Sequence, residues 1–147
     1  LAALKGAVAS LRCVPHRMEL LDRGNMILID DAFNSNPKGA QAALRVLKEF
    51  DGRRIIITPG MVELGAGEAE FNHAFGQMMA DCADVAILVG RRHTAPIADG
   101  LREKGFDETN LHVVSTLEEA AAILRQIGKP GDVALFENDL PDNYSEA

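Results

Sequence analysis

The sequence predicts an α/β protein: an open, mainly parallel sheet of about six strands with helices on both faces. Three observations predict it. The chain has 147 residues, 47% of them hydrophobic and 25% charged, which is the balance of one globular domain able to bury about two-thirds of its unfolded surface. Strand-like and helix-like segments alternate from residue 54 onward, the signature of βαβ crossovers. The strands are continuous apolar runs, such as Ile55-Ile56-Ile57 and Val85-Ala86-Ile87-Leu88-Val89, as expected of strands covered on both faces.

In chain order, apolar residues at Leu1, Leu4, Val8 and Leu11 fall at helical offsets before Pro15, predicting a short leading helix. His16 to Leu21 and Met26 to Ile29 read as two strands, and Asp22-Arg23-Gly24-Asn25 is the turn of their hairpin. A polar loop after Asp30-Asp31 leads to Pro37, suited to a first helical turn, with Ser35 or Asn36 as N-cap. That helix shows Ala40, Ala43, Leu44 and Leu47 on one face, runs to about Phe50 and stops at Asp51-Gly52. There follow strand Arg54 to Thr58, helix Ala69 to Asp81, strand Val85 to Val89 and helix Ala95 to Lys104. Strand Leu111 to Val114, helix Leu117 to Gln126 and strand Val133 to Phe136 complete the series.

Lys plus Arg number 15 and Asp plus Glu 22, a net charge of −7. Such an excess repels nucleic-acid phosphates and anionic membranes, so neither is an expected partner. No apolar run reaches the roughly 18 residues of a membrane span. Cys13 and Cys82 are isolated and read as reduced thiols of a cytoplasmic protein. The first residue is Leu1 rather than Met, and the chain is expected to be a piece of something longer.

In open parallel sheets ligands collect at the carboxyl ends of the strands. That rule selects the loops Asp30 to Pro37, Thr58 to Gly67, Gly90 to Thr94, Ser115, and Glu137 onward. No G-x-x-x-x-G-K-[ST] loop is present, and Gly65-Ala-Gly67 lacks the third glycine of a dinucleotide fingerprint because Glu70 stands there. His16, His73, His93 and His112 have no metal-ligand spacing, and no serine sits in a G-x-S-x-G elbow. No resident metal site or hydrolase triad is expected.

Asp30-Asp31 is the strongest local signal. Adjacent carboxylates at a strand end point to opposite faces, so one can hold a hydroxyl, a ribose or a magnesium ion, or the pair can cap the following turn. The amides of Asn34 and Asn36 and a helix start follow, a combination suited to an anion or nucleotide. Met26-Ile-Leu-Ile-Asp30-Asp31 is also similar to the opening strand of a two-component receiver domain. However, neither Arg54 to Thr58 nor Val85 to Val89 ends in the phosphoacceptor aspartate that a receiver needs.

Three motifs carry a closer resemblance: Val14-Pro-His-Arg17-Met-Glu19, Asp30-Asp-Ala-Phe-Asn-Ser-Asn-Pro37, and Met61-Val-Glu-Leu-Gly65. In order and spacing they resemble the C-terminal domain of the Mur ligases, nearest the branch that adds D-alanyl-D-alanine to a UDP-N-acetylmuramoyl tripeptide. The resemblance implies a Rossmann-like domain over residues 16–147. Residues 1–15 would be the hinge or tail of a preceding ATPase domain that carries the P-loop, and the fragment would be inactive alone. Its implied partners are the N-terminal and central domains of its own chain, a UDP-N-acetylmuramoyl peptide, and an amino-acid or dipeptide acceptor. ATP and Mg2+ would be bound mainly by the central domain. Arg17, Asp31 and Asn34 would meet ATP, Asp31 at the ribose, whereas Asn36, Glu63 and Gly65 would belong to the substrate or closure loops.

The sequence also departs from the family pattern. Phe33 replaces a tyrosine, Pro59-Gly60 replaces Gly-Asp, and Asn72 stands where the family has a histidine, with His73 one place on. Glu137 onward, with Asp139 and Asp142, replaces a K-G-S-R stretch. Those acids are expected to change the field where the acceptor's carboxylate binds. The alternative reading is a stand-alone nucleotide- or partner-binding module of the same fold.

Overall fold

The structure, a computed structural model, describes residues 14–32 and 36–138. The expected leading helix, Cys13, Phe33, Asn34, Ser35 and the segment from Asp139 lie outside the described residues. The elements are β1 (Glu19–Asp22), β2 (Ile27–Asp31), α1 (Pro37–Lys48), β3 (Arg54–Thr58) and α2 (Glu68–Ala80). They continue with β4 (Val85–Val89), α3 (Ala95–Glu103), β5 (Leu111–Val114), α4 (Leu117–Ile127) and β6 (Val133–Glu137). Short 3-10 turns at Gly65–Gly67 and Glu108–Asn110 precede α2 and β5.

These strands form one six-stranded sheet in the order β1-β2-β6-β3-β4-β5. Only the β1–β2 hairpin is antiparallel; all other neighbours are parallel. The chain steps outward from β2 through β3, β4 and β5, then returns to place β6 between β2 and β3. Three steps one way put α1, α2 and α3 on one face, and the single step back puts α4 on the other, as a fixed crossover hand requires.

Two cores follow from strand alternation. Ile29, Ile56, Leu88 and Leu135 pack under Leu44 and Leu47 of α1, Phe75 and Met79 of α2, and Ile97 and Leu101 of α3. Ile55, Ile57, Ile87 and Ala134 point the opposite way, toward Ala120 and Leu124 of α4. Helices α2 and α3 cross closely at two glycines: a Cβ on Gly76 would collide with the Ile97 carbonyl oxygen, and one on Gly100 with that of His73.

Helix α1 begins where expected, with Asn36 as its N-cap: its side chain accepts from the amides of Lys38 at 3.2 Å and Gly39 at 3.0 Å. The first strand does not begin at His16. His16 and Met18 have φ of 61° and 50°, so extended pairing starts only at Glu19. The cause is docking of this segment on β2: the Met18 amide donates to Asp31 Oδ1 at 3.1 Å, and His16 Nδ1 lies 2.8 Å from Asp30 Oδ2. Those bonds favour a turn over a continued ladder.

Candidate functional site

All five parallel strands end on one edge, so the carboxyl ends of β2, β6, β3, β4 and β5 bring together the loops selected from sequence. Asp31 closes β2, and register sets it beside Glu137 of β6. Burial pushes the Asp31 carboxyl above its ordinary value of 3.8; the hydrogen bond from the Met18 amide opposes this, the Asp30 charge adds to it, and the Arg17 charge lowers it again. Asp31 is therefore an under-solvated acceptor with capacity for further donors. Asp30 points to the other face and caps its own turn, accepting from the Ala32 amide at 3.2 Å as well as meeting His16. The capping alternative thus fits Asp30.

Arg17 is exposed on the turn before β1, near enough to Asp31 for its charge to act. Asn34 lies outside the described residues. Asn36 is engaged as the α1 cap, a helix-starting role. Glu63 and Gly65 sit on the loop after β3, both with left-handed backbone, at φ 63° and 62°, and Glu63 is exposed. Arg17 and Asp31 are thus brought together near β2, whereas Glu63 and Gly65 belong to the neighbouring loop.

That loop is anchored at its root by residues to which the sequence assigned no role there. Asn72 of α2, 1% exposed, accepts from the Met61 amide at 2.9 Å and donates to the Met61 carbonyl at 2.8 Å. His93, from the loop after β4, places Nε2 3.3 Å from the same carbonyl and Nδ1 3.6 Å from Glu68 Oε1. His73 faces elsewhere, 2.9 Å from Glu103 of α3. Thr58, Glu137 and Asn138 complete the root and are all buried. Thr58 and Asn138 carried no signal beyond polarity at the end of an apolar run, and Glu137 stood out only as a departure from the family's K-G-S-R stretch.

On the α4 side of the same edge lies a cavity of about 230 Å³. Apolar Ile57, Pro59, Val89 and Phe136 wall it, with Ser115 and Asn138 among its polar lining groups. Glu137 is not part of that wall. Alternation along β6 turns it to the opposite face from Phe136, where it is fully buried and accepts from Thr58 Oγ1 at 3.1 Å. The expectation that this acid alters the field facing an acceptor is corrected for Glu137: its carboxylate is directed into the fold. Arg91, in the loop after β4, places its Nε 3.4 Å from Oγ of Ser115, one of the lining residues. Among the described residues no three of His, Cys, Asp and Glu converge as a metal site, and no helix is long and apolar enough to cross a membrane.

Residues 16–137 match the family model described as Mur ligase, glutamate ligase domain. The chain belongs to the Mur ligase family. Among curated Mur ligases it is 36% identical over 115 residues to the UDP-N-acetylmuramoyl-tripeptide–D-alanyl-D-alanine ligase of Escherichia coli, an alignment covering 76% of this chain and 25% of that protein. It is 30% identical to the UDP-N-acetylmuramoylalanine–D-glutamate ligase of Hydrogenovibrio crunogenus, covering 92% of this chain and 28% of that one. In fold it is similar to the MurF ligase of Thermotoga maritima, solved with ADP, at a TM-score of 0.73 and 24% identity, over 95% of this chain and 33% of that chain. A MurF of Acinetobacter baumannii gives 0.75 at 21%, over 95% and 30%. The chain thus spans about a quarter to a third of the length of the Mur ligases it matches.

Proposed function

We propose that this chain is the C-terminal domain of an ATP-dependent ligase of peptidoglycan precursor synthesis in the cytoplasm, adding D-alanyl-D-alanine or a closely related amine to a UDP-N-acetylmuramoyl peptide. In this reading residues 16–147 are the domain, residues 1–15 the hinge, and the rest of the protein supplies the P-loop, so the fragment is inactive alone. The observation that carries it is the meeting, at one sheet edge, of the half-buried Asp31 carboxylate, a loop rooted on buried Thr58, Asn72, Glu137 and Asn138, and a largely apolar cavity.

A carboxylate is a poor electrophile. Transfer of the ATP γ-phosphoryl group to it makes an acyl phosphate; the acceptor's amine attacks the carbonyl, the amide bond forms, and phosphate leaves with the carbon–oxygen electrons. This chain's residues position and enclose rather than perform that chemistry. Asp31 fits the two hydroxyls of a ribose, because its under-solvated carboxylate can accept both. The described residues do not fit Mg2+ or the triphosphate: no ligand cluster gathers there and no glycine-rich phosphate loop exists. Arg17 lies on the same side as Asp31 and would offset nucleotide charge, with Asn34 as a further donor. Glu63 and Gly65 would face the incoming amine.

The cavity supports the acceptor assignment. Its walls suit small apolar side chains, and a D-glutamate side chain would bring a carboxylate to a surface of Ile57, Val89 and Phe136. Arg91 at the rim is placed to take the acceptor's terminal carboxylate. The test is phosphate release by the full-length protein with ATP across a panel of acceptors, offering D-alanyl-D-alanine with UDP-N-acetylmuramoyl tripeptide and D-glutamate with UDP-N-acetylmuramoylalanine. Release is expected with D-alanyl-D-alanine and not with D-glutamate. Preference for D-glutamate would overturn the acceptor assignment. Nucleotide binding without release for any acceptor would favour the stand-alone binding module.

A further inference from the structure

The end of β6 joins the nucleotide side of the site to the acceptor side. Asn138 is 5% exposed and left-handed at φ 64°. Its backbone amide donates to the Asp31 carbonyl at 3.1 Å, and its side-chain Nδ2 donates to the Gly60 carbonyl at 2.6 Å. Beneath it, the Gly60 amide donates to Thr58 Oγ1 at 3.0 Å, and that hydroxyl donates onward to Glu137. Both polar groups of Gly60 are thus held from β3 and β6, just as both of Met61 are held by Asn72.

Gly60 leaves no room for any other residue. It has φ 81°, and a Cβ there would lie 2.9 Å from Asn72 Oδ1 and 3.0 Å from Ile97 Cδ1. The loop that carries Glu63 and Gly65 therefore leaves from two fixed peptides, and its direction is set by Asn138, Thr58 and Asn72. Asn138 also lines the cavity, so one residue touches the Asp31 strand end, the loop root and the pocket wall.

We propose that Asn138, supported by the Thr58–Glu137 pair, is a positioning residue that fixes the root of the acceptor-facing loop at the carboxyl edge of the sheet. Buried Glu137 is then part of a scaffold, accepting the Thr58 proton donor, rather than a substrate contact. The inference rests on the ligase reading above.

The full-length protein tests it through Asn138→Gly, which keeps the left-handed backbone but removes the side-chain bond to Gly60 and that side chain's share of the cavity wall, and through Thr58→Val against Thr58→Ser, which leave the cavity lining intact. Loss of one buried hydrogen bond at the loop root is expected to raise the acceptor KM about tenfold. The ATP KM should change much less, because Asn138→Gly keeps the backbone amide that donates to the Asp31 carbonyl. Thr58→Val should behave like Asn138→Gly, and Thr58→Ser, which retains the hydroxyl, should restore the wild-type acceptor KM. Amide exchange at Gly60 and Met61 should quicken in Asn138→Gly while the thermal midpoint holds. A working ligase whose acceptor KM is unmoved by both variants, or whose two KM values rise together, overturns the selective positioning of the acceptor-facing loop alone. A wild type that ligates no acceptor removes the ligase reading, and this inference with it.

Discussion

The two edges of the sheet are built from the same residue types and do opposite things with them. At the amino edge, Arg53 forks onto Asp132 through Nε at 3.1 Å and Nη2 at 2.6 Å, and also donates to the Ile127 carbonyl at 2.7 Å. Arg54 pairs with Asp84 at 3.2 Å. Burial alone would raise the Asp132 carboxyl, but the Arg53 bond, the Lys129 amide and the flanking charges hold it below its ordinary value. At the carboxyl edge Asp31 has no such fork and is raised instead; Glu63 and Asn138, both left-handed, are there too. One edge has resolved its electrostatics internally. The other keeps an Asp31 carboxyl whose burial the Met18 amide and the Arg17 charge offset only in part, together with left-handed backbone at Glu63 and Asn138, features that cluster where a surface binds a partner.

The largest test of that contrast is at Asp132. Asp132→Ala leaves Arg53 facing a partly buried gap and should cost about 3 kcal/mol of stability in urea denaturation, near the lower end for breaking a buried pair, with nucleotide affinity unchanged. Asp31→Ala should do the reverse in the full-length enzyme. Loss of charged hydrogen bonds to a ribose, about 2 kcal/mol, corresponds to roughly a thirtyfold rise in the ATP KM, while urea stability of the chain stays level or rises. An unchanged ATP KM would remove the ribose role from Asp31.

Acid should separate the edges by sign. Asp132 and Asp84 are depressed in the fold, so their stabilisation is present above the unfolded value near 3.8 and is lost as pH falls through their lower folded values. Asp31 is raised, so its ionised form is disfavoured in the fold and stability is gained as pH falls through its folded value. Urea midpoints against pH should therefore lose the Asp31 gain in Asp31→Asn and lose part of the acid-side fall in Asp132→Asn. The smallest effect is expected at Asn36. If it acts only as a helix cap, Asn36→Ala costs about 1 kcal/mol and leaves both KM values alone; a selective rise in the acceptor KM would restore the closure-loop role that its family position implied.

Much of the fold was legible because the signals are local. Val85 to Val89 and Ile55 to Ile57 announce two-faced burial by composition alone, and Pro37 after Asn36 announces a helix start by backbone chemistry. The miss at His16 to Met18 has a different origin: those residues look extended, and only contact with Asp30 and Asp31, fourteen and thirteen residues on, turns them left-handed. The site was half legible for the same reason. Asp31, Glu63 and Gly65 lie in contiguous motifs, but Thr58, Asn72, His93 and Asn138 act through partners in other elements; Asn72 stood out only as a departure from the family's histidine, and the others read in isolation as ordinary polar residues.

By itself the sequence determined the elements, their alternation, the edge at which ligands collect, and the family motifs, because helix and strand periodicity and turn chemistry are written within a few residues. Strand order belonged to the tertiary structure. The return of β6 to a place between β2 and β3 brings Glu137 to Thr58 across 79 positions and Asn138 to Gly60 across 78. Neighbours in a parallel sheet are chosen by competition among long-range burials, and no local pattern records which of two equally apolar strands will lie beside a third.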